Sequence, residues 1–274
     1  MLALEVWAEQ RGAITVAALV ENRKLIALEI DNENLKPAAG EILSGKITAL
    51  QPRQRSAEVD LGPHGLAFLD LGKRTLNSGD AVVVEWLNPA HDGKLQTVRL
   101  SNAKPQTQPN AIARLIAGKT IALGRVNNVT LQAQLGPKAE LVKAPFELID
   151  IEAQLAALLN KRVELPHAGS LIIEPTEALT VIDVNGGGAG AAINPIAMAE
   201  VARQLRLRNL GGMILVDAVG GRDTKLVDEL RRLTADDTCR VEVLGITRLG
   251  LIEITRQRLG YTLAQQLQGF GVAL

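Results

Sequence analysis

Cysteine, histidine, aromatic residues and net charge are all scarce in this chain. Its 274 residues hold one cysteine, Cys239. That excludes an intramolecular disulfide framework and any CxxC zinc site within one chain. A cytoplasmic setting without structural zinc is the simplest expectation. His64, His91 and His167 stand apart in turn-like sequence and suggest no zinc cluster. Phe, Trp and Tyr together make up 2%, which argues against a binding face built mainly from stacked rings. Lys and Arg number 30, as do Asp and Glu, so nucleic-acid binding would have to come from local patches rather than bulk charge. No run approaches the ~18 apolar residues of a membrane span, and no membrane partner is expected. The opening MLALEVWAEQRG carries Glu5 and Glu9 in its apolar stretch and no basic leader, so it does not read as a signal peptide.

What is present is a foldable chain, 47% hydrophobic and 22% charged, able to bury a sizeable core. Residues 14–20 and 25–30 are strand-like and flank the polar turn Glu21-Asn22-Arg23-Lys24, a β-hairpin. Residues 42–50, 56–61, 66–69, 81–87 and 96–100 are short strands punctuated by glycine and proline. Five such strands suit a small OB-type barrel, with a small β-sandwich as the competing arrangement. The polar linker KPQTQPN (104–110) leads into a mixed stretch: an apolar-periodic 111–117, a strand-like 120–126 and a helix over 146–159.

From Gly169 the pattern alternates β and α. A second hairpin pairs 171–173 with 178–184, Asn194-Pro195 is an N-cap and first-turn pair for a helix through Leu207, and 213–217 is a buried strand. Asp223 caps a further helix, 240–246 is a strand, and 249–259 is expected as a last amphipathic helix.

Asp183 and Asp217 are the most informative carboxylates, because each closes an apolar strand. A charge there is costly unless it is paired, solvated or holding a cation. Only one crossover helix separates the strands, so the two carboxylates can meet and share a hard cation; Mg²⁺ takes one or two carboxylates plus water. Asn185, two residues on, faces the same side of a persisting strand. The plainer reading is that both aspartates cap helices or solvate strand ends. The run Gly186-Gly187-Gly188-Ala189-Gly190 is either a phosphate cradle or a flexible linker, and no Gly-Lys-Ser/Thr follows it. Arg203, Arg206 and Arg208 close one helix, and Arg248, Arg256 and Arg258 sit in the last segment; they read either as phosphate ligands or as a solvated helix end. In the barrel, Lys46, Arg53, Arg55, Lys73, Arg74 and Phe68 could form a phosphate-tracking face with one ring.

Three ordered blocks, GSLIIEPTEALTVIDVN (169–185), ARQLRLRNLGGMILVD (202–217) and ITRLGLIEITRQRL (246–259), resemble the catalytic signature of the ribonuclease E/G family. The hairpin over 14–29 and Gly45-Lys46-Ile47-Thr48 also fit; residues 104–165 carry no such motif. The resemblance implies a Mg²⁺-dependent endoribonuclease acting on single-stranded RNA. It also implies a mixed α/β fold: an RNase H-like subdomain interrupted by an OB-type, S1-like barrel (40–103), with its N-terminal part in 1–39 and its remainder in 104–168 together with a reduced middle segment, then a DNase-I-like catalytic subdomain (169–274). By resemblance, Asp183 and Asp217 bind Mg²⁺, Asn185 assists them, Arg240 lies near the scissile phosphate, and Phe68, Lys46 and Arg55 bind RNA. The alternative it leaves is a non-catalytic RNA-binding relative. Glu58 stands where the family has a stacking ring, Gly220 where it has a second acidic residue, and Gly186 where it has a serine. The middle segment lacks the Arg-Thr motif that senses RNA 5′ ends, and no paired-cysteine zinc link between protomers is expected, although a homo-oligomer is compatible.

Overall fold

Two hairpins open the chain because the turn residues reverse it tightly. β1 (Glu5–Arg11) pairs antiparallel with β2 (Ile14–Glu21), and Gly12 at φ 58° begins the two-residue turn. β3 (Lys24–Asn32) follows a second two-residue turn in which Asn22 and Arg23 both take positive φ, the conformation in which asparagine is tolerated best. A computed structural model of the protein describes residues 3–91 and 93–271. Its chain divides into two compact units. One runs to Asp31 and then takes Ala111–Arg258 and the residues from Thr262 on; the other is Asn32–Asn110 with Leu259–Tyr261.

The second unit is a closed barrel in the order β4 (Ile42–Gln51), β5 (Ser56–Asp60), β6 (Leu66–Asp70), β8 (Gln96–Leu100), β7 (Ala81–Asn88). The sandwich alternative falls, because β6 pairs parallel with β8 and β4 pairs with β7 to close the sheet. Irregularities between Ile47 and Ala49, and between Trp86 and Asn88, lend the curvature that closure needs. Alternation sends Ile47, Val59, Ala67, Leu69, Val84 and Val98 inward around Trp86. The Trp86 indole N–H donates to Gln96 Oε1 at 2.7 Å, and the ring stacks on Tyr261 with centroids 5.5 Å apart.

The first unit resumes with α1 (Ala111–Ile116), β9 (Leu123–Val126), α2 (Val129–Leu135) and β10 (Ala139–Leu141). The two new strands extend the opening hairpins into a five-stranded sheet, order β10-β9-β1-β2-β3. Its two faces are both covered. Ile112 and Leu115 pack on one, and Phe146, Ile151 and Leu155 on the other. The helix expected over 146–159 is in fact a 3₁₀ turn, Pro145–Ile149, followed by α3 (Ile151–Leu159). Asp150, in the left-handed region at φ 54°, breaks the two apart.

The remainder of this unit is a six-stranded sheet, order β11-β12-β13-β14-β16-β15. Its elements are β11 (Arg162–Glu164), β12 (Ser170–Pro175), β13 (Leu179–Asn185), α4 (Asn194–Leu207), β14 (Gly212–Asp217), α5 (Thr224–Leu233), β15 (Val241–Ile246) and β16 (Ile252–Arg256). A short α6 (Leu263–Gln266) follows, capped reciprocally by Thr262 and Gln265. One sheet face, with Ile173, Ile182, Val184, Ile214, Val216 and Ile254, packs against Met198, Val201, Leu205, Leu226 and Leu230 of the two helices. Each such buried side chain contributes about 1.5–3 kcal/mol. The opposite face is the more exposed one and carries Val181, Asp183, Asn185, Met213 and Asp217.

The last helix expected from the sequence, over 249–259, is not there. Residues 252–256 form β16, inserted between β14 and β15. Alternation decides it, since Ile252, Ile254 and Arg256 are buried while Glu253 and Thr255 face outward. Arg256 is not a solvated cation. Its Nε and Nη2 donate to Asp237 at 3.1 and 3.0 Å, and Nη1 donates to the Leu210 carbonyl at 3.0 Å. Both side chains of the pair are almost wholly buried, at 2% and 0% exposure. Removing one partner leaves a buried charge uncompensated. Arg256→Leu is therefore expected to lower stability by about 3–5 kcal/mol in urea unfolding of the full chain. A loss below about 1 kcal/mol would show that Asp237 is hydrated or repaired elsewhere.

Candidate active site

Parallel pairing of β13 with β14 runs Leu179↔Met213 through Asp183↔Asp217. The two aspartates are thus register partners on neighbouring strands, which lie about 4.8 Å apart in a sheet, and their side chains leave the same face. Asp183 is half-buried and Asp217 exposed. Asn185 shares that face two residues on, and its Nδ2 donates to Asp183 Oδ2 at 3.0 Å. This bond fixes one aspartate and leaves the asparagine oxygen free to accept. Ser170, the β12 partner of Asn185, is fully buried with a hydroxyl that meets no partner among the described residues.

The donor set suits a hard cation. It offers two carboxylates and an amide oxygen, and among the described residues no group of three or more His, Cys, Asp or Glu could hold a metal. Two carboxylates with room for water is the set Mg²⁺ favours; a closed zinc or calcium cage needs more protein ligands. Asp183 and Asp217 would hold the ion, with Asn185 beside them.

Loops at the strand ends frame this site. After Asp217 the chain turns through Gly220 and Gly221 at φ 81° and 77°, a left-handed pair that disfavours side chains. That accounts for glycine at position 220. Asn194 was expected to cap α4, yet it lies inside the helix and binds this loop: its Nδ2 donates to the Val219 carbonyl at 2.8 Å and its Oδ1 accepts from Val219 N–H at 3.2 Å. The glycine run after Asn185 is neither a linker nor an open cradle. It winds as 3₁₀ turns packed on the preceding loop, and Gly188 N–H already donates to the His167 carbonyl. A Cβ on Gly187 would meet His167 O at 2.4 Å.

Two arginines that sequence reasoning did not place with the aspartates stand at the same sheet end. Ile246, Ile252 and Val216 are aligned across β15, β16 and β14, so the hairpin loop carrying Arg248 projects beside Asp217. Arg222, in the loop after Asp217, donates to the Arg248 carbonyl. Both are exposed. The signal for Arg248 lies in the ITRLGLIEITRQRL block, where it precedes the segment expected as a helix and is not tied to the aspartates. Arg240 belongs elsewhere. Val241 aligns with Arg256 and Gly212, which puts Arg240 at the opposite end of the sheet, about 20 Å along the strands from Asp217, ion-paired with Glu242. Of the arginines at the end of α4, Arg203 and Arg208 are engaged within the fold, while Arg206 is exposed. Arg203 holds Glu200 and the Leu25 carbonyl, Arg206 reaches the Leu233 carbonyl, and Arg208 is buried against Gln204. Burial pushes Arg208 down to about 10 against the opposing pull of Glu200. Cys239 is buried, and desolvation pushes its thiol up.

On the barrel, Phe68 is no core residue. Its neighbours Ala67 and Leu69 are fully buried while Phe68 faces outward, half-exposed. Its register partners are Glu58 and Thr97. Exposed Lys46 pairs with Asp60, one pleat before Phe68, and Arg55 precedes Ser56, which pairs with Asp70 one pleat after it.

Two strand-end carboxylates thus stand side by side on the more exposed face of a mixed sheet, in a chain that also holds a five-stranded closed barrel. The sequence model of the "Ribonuclease E/G family" matches residues 110–259, including the middle segment in which no motif was legible. The chain belongs to that family. It is 40% identical over 131 residues to Ribonuclease E of Synechocystis sp., covering 43% of this chain and 19% of that protein. It is 40% identical over 128 residues to the chloroplastic Ribonuclease E/G-like protein of Arabidopsis thaliana, covering 41% and 13%. For Ribonuclease E of Escherichia coli the figures are 38% over 133 residues, 44% and 12%. The matched stretch spans less than one fifth of each of these relatives. No helix among the described residues is long and apolar enough to cross a membrane.

The Asn194 clamp makes a measurable statement about the loop behind Asp217. Asn194→Ala removes both bonds to Val219, a cost of about 1–3 kcal/mol. The Val219 amide should lose hydrogen-exchange protection while amides in β12 keep theirs. Unchanged exchange at Val219 would show that the loop is held by other contacts.

Proposed function

We propose that the protein is a Mg²⁺-dependent endoribonuclease that hydrolyses phosphodiester bonds in single-stranded RNA. The observation that carries this is the register of Asp183 with Asp217 on one face, with Asn185 bonded to the first. A bound Mg²⁺ would offset charge on the phosphate and lower the pKa of an attacking water. The side chains do the rest. Asp183 and Asp217 present carboxylate oxygens side by side, Asn185 holds Asp183 in position, and Arg222 and Arg248 place positive charge at the same sheet end, where guanidinium groups can pair with phosphate. The barrel supplies RNA contacts through Phe68, with Lys46 and Arg55 on either side. Arg240, remote from the aspartates, contributes to RNA binding away from the reaction. In this reading the five-stranded sheet is RNase H-like, the barrel OB-type and S1-like, and the six-stranded sheet DNase-I-like, in a cytoplasmic protein.

One observation favours the non-catalytic RNA-binding relative instead. Glu58 sits directly across from Phe68, so a carboxylate occupies the place beside the ring where a phosphate backbone would pass, and this weakens the grip on RNA.

Labelled single-stranded RNA incubated with the pure protein and Mg²⁺ or EDTA separates the readings. Cleavage with Mg²⁺ that EDTA stops is expected, and Asp183→Asn or Asp217→Asn should abolish it. The amide keeps the shape and removes the charge that a hard cation needs. Folding should persist, because two adjacent carboxylates without a cation repel each other. Full cleavage by either variant would remove the aspartates from the mechanism, whereas an inactive wild type that binds RNA would select the non-catalytic relative. Phe68→Ala should weaken RNA binding by about 1–3 kcal/mol, the worth of one stacked base, with little change in unfolding; equal affinity would take the ring out of the interface.

A further inference from the structure

The barrel carries a second feature, distinct from the outward ring of Phe68. A cavity of about 650 Å³ opens between the β4–β5 turn and the loop after β6. Leu50, Leu71 and Leu76 contribute its apolar lining, and Arg55, Lys73 and Arg74 the charged one. Among the described residues no carboxylate lines it. Among the described residues none of these three cations makes an ion pair, whereas the arginines at 99, 114, 125, 203, 231 and 256 all do. Ser56 also lines the cavity, at 1% exposure, and its hydroxyl has no hydrogen-bond partner among the described residues. A buried hydroxyl without a partner is costly, and such groups in native folds are satisfied by a ligand or water.

The rim is held in place by the backbone. Arg55 takes the left-handed conformation at φ 52°, and its carbonyl accepts from Leu71 N–H at 2.8 Å. Arg74 N–H in turn donates to the Leu71 carbonyl at 2.9 Å. The nearest acid in sequence, Asp70, turns its carboxylate to Gly72 N–H at 2.9 Å and is not part of the lining. The volume lies within the range of small-ligand sites. Apolar walls, a cationic rim and one buried hydroxyl together match a molecule with a flat apolar body, hydroxyl groups and a phosphate.

We propose that this cavity binds one nucleotide unit of single-stranded RNA. The phosphate lies against Arg55, Lys73 and Arg74, the base or ribose against the leucines, and Ser56 Oγ donates to a phosphate or ribose oxygen. The assignment rests on the RNA-binding reading above, and it adds a defined subsite next to the Phe68 face: Ser56 and Asp70 are register partners one pleat beyond Phe68. A free nucleotide has the same chemistry, so the test must tell a strand from a monomer.

The full-length chain is titrated with a fluorescent oligouridylate of about ten nucleotides at several salt concentrations. Lys73→Gln/Arg74→Gln should weaken binding several-fold and reduce the slope of log K against log salt by roughly 0.7 for each phosphate no longer neutralised. Ser56→Ala should weaken binding at every salt concentration without changing the slope. Circular dichroism melts check that the variants fold. Wild-type affinity and slope in both variants would overturn the cavity and leave the RNA-binding reading standing. Should the wild type bind no RNA, uridine monophosphate decides the matter by amide shifts: perturbation at Ser56, Leu71 and Thr75 would assign the cavity to a free nucleotide, and silence there would overturn it.

Discussion

The proposed cleavage chemistry depends on one register. β13 and β14 run parallel and pair so that their terminal aspartates fall side by side. Parallel strands cannot be joined by a tight turn and need a crossover. Here α4 is that crossover, and its apolar stripe buries the face of the sheet opposite the aspartates. A slip of one residue in either strand would turn its carboxylate into the core. The core residues Ile182, Val184, Ile214 and Val216 therefore fix the site as firmly as any polar contact does, because they alternate with Asp183 and Asp217 along the same strands.

Around that register the loops are tied by backbone-directed contacts. Asn194 fastens the start of α4 to the loop after Asp217, and the glycine run after Asn185 folds against the loop at 167–168. Such bonds let the carboxylates stand close together without depending on one another. Most of the arginines that could have supplied phosphate contacts are engaged within the fold. Those at the aspartate end, Arg222 and Arg248, are exposed and make no ion pair among the described residues. Preorganised charge of this kind is what phosphoryl chemistry uses.

Much of this was legible in the sequence, for reasons that can be stated. Period-two alternation marked the barrel strands, the opening hairpin and both aspartate strands, and a polar turn with Asn22 marked the chain reversal. Other features were hidden by competing signals. Leu249, Ile252 and Leu259 have helical spacing, but the stronger alternation of Ile252, Ile254 and Arg256 includes an arginine that reads as surface until its buried partner Asp237 is known. Asn194 before a proline has the composition of a cap, yet its side chain is taken by a loop 25 residues away. The strands β10 and β11 are three residues each, too short for any periodicity to show. Ser56 has no signature at all, since a serine at a strand start is unremarkable until its burial is seen.

The central claim is that Asp183 and Asp217 form one divalent-cation site in the folded chain. Electron paramagnetic resonance of Mn²⁺ titrated into the protein tests it without reference to activity. The account predicts one saturable site per chain that Mg²⁺ displaces, and loss of that site in the Asp183→Asn/Asp217→Asn double variant. The same stoichiometry and affinity in the double variant would contradict it.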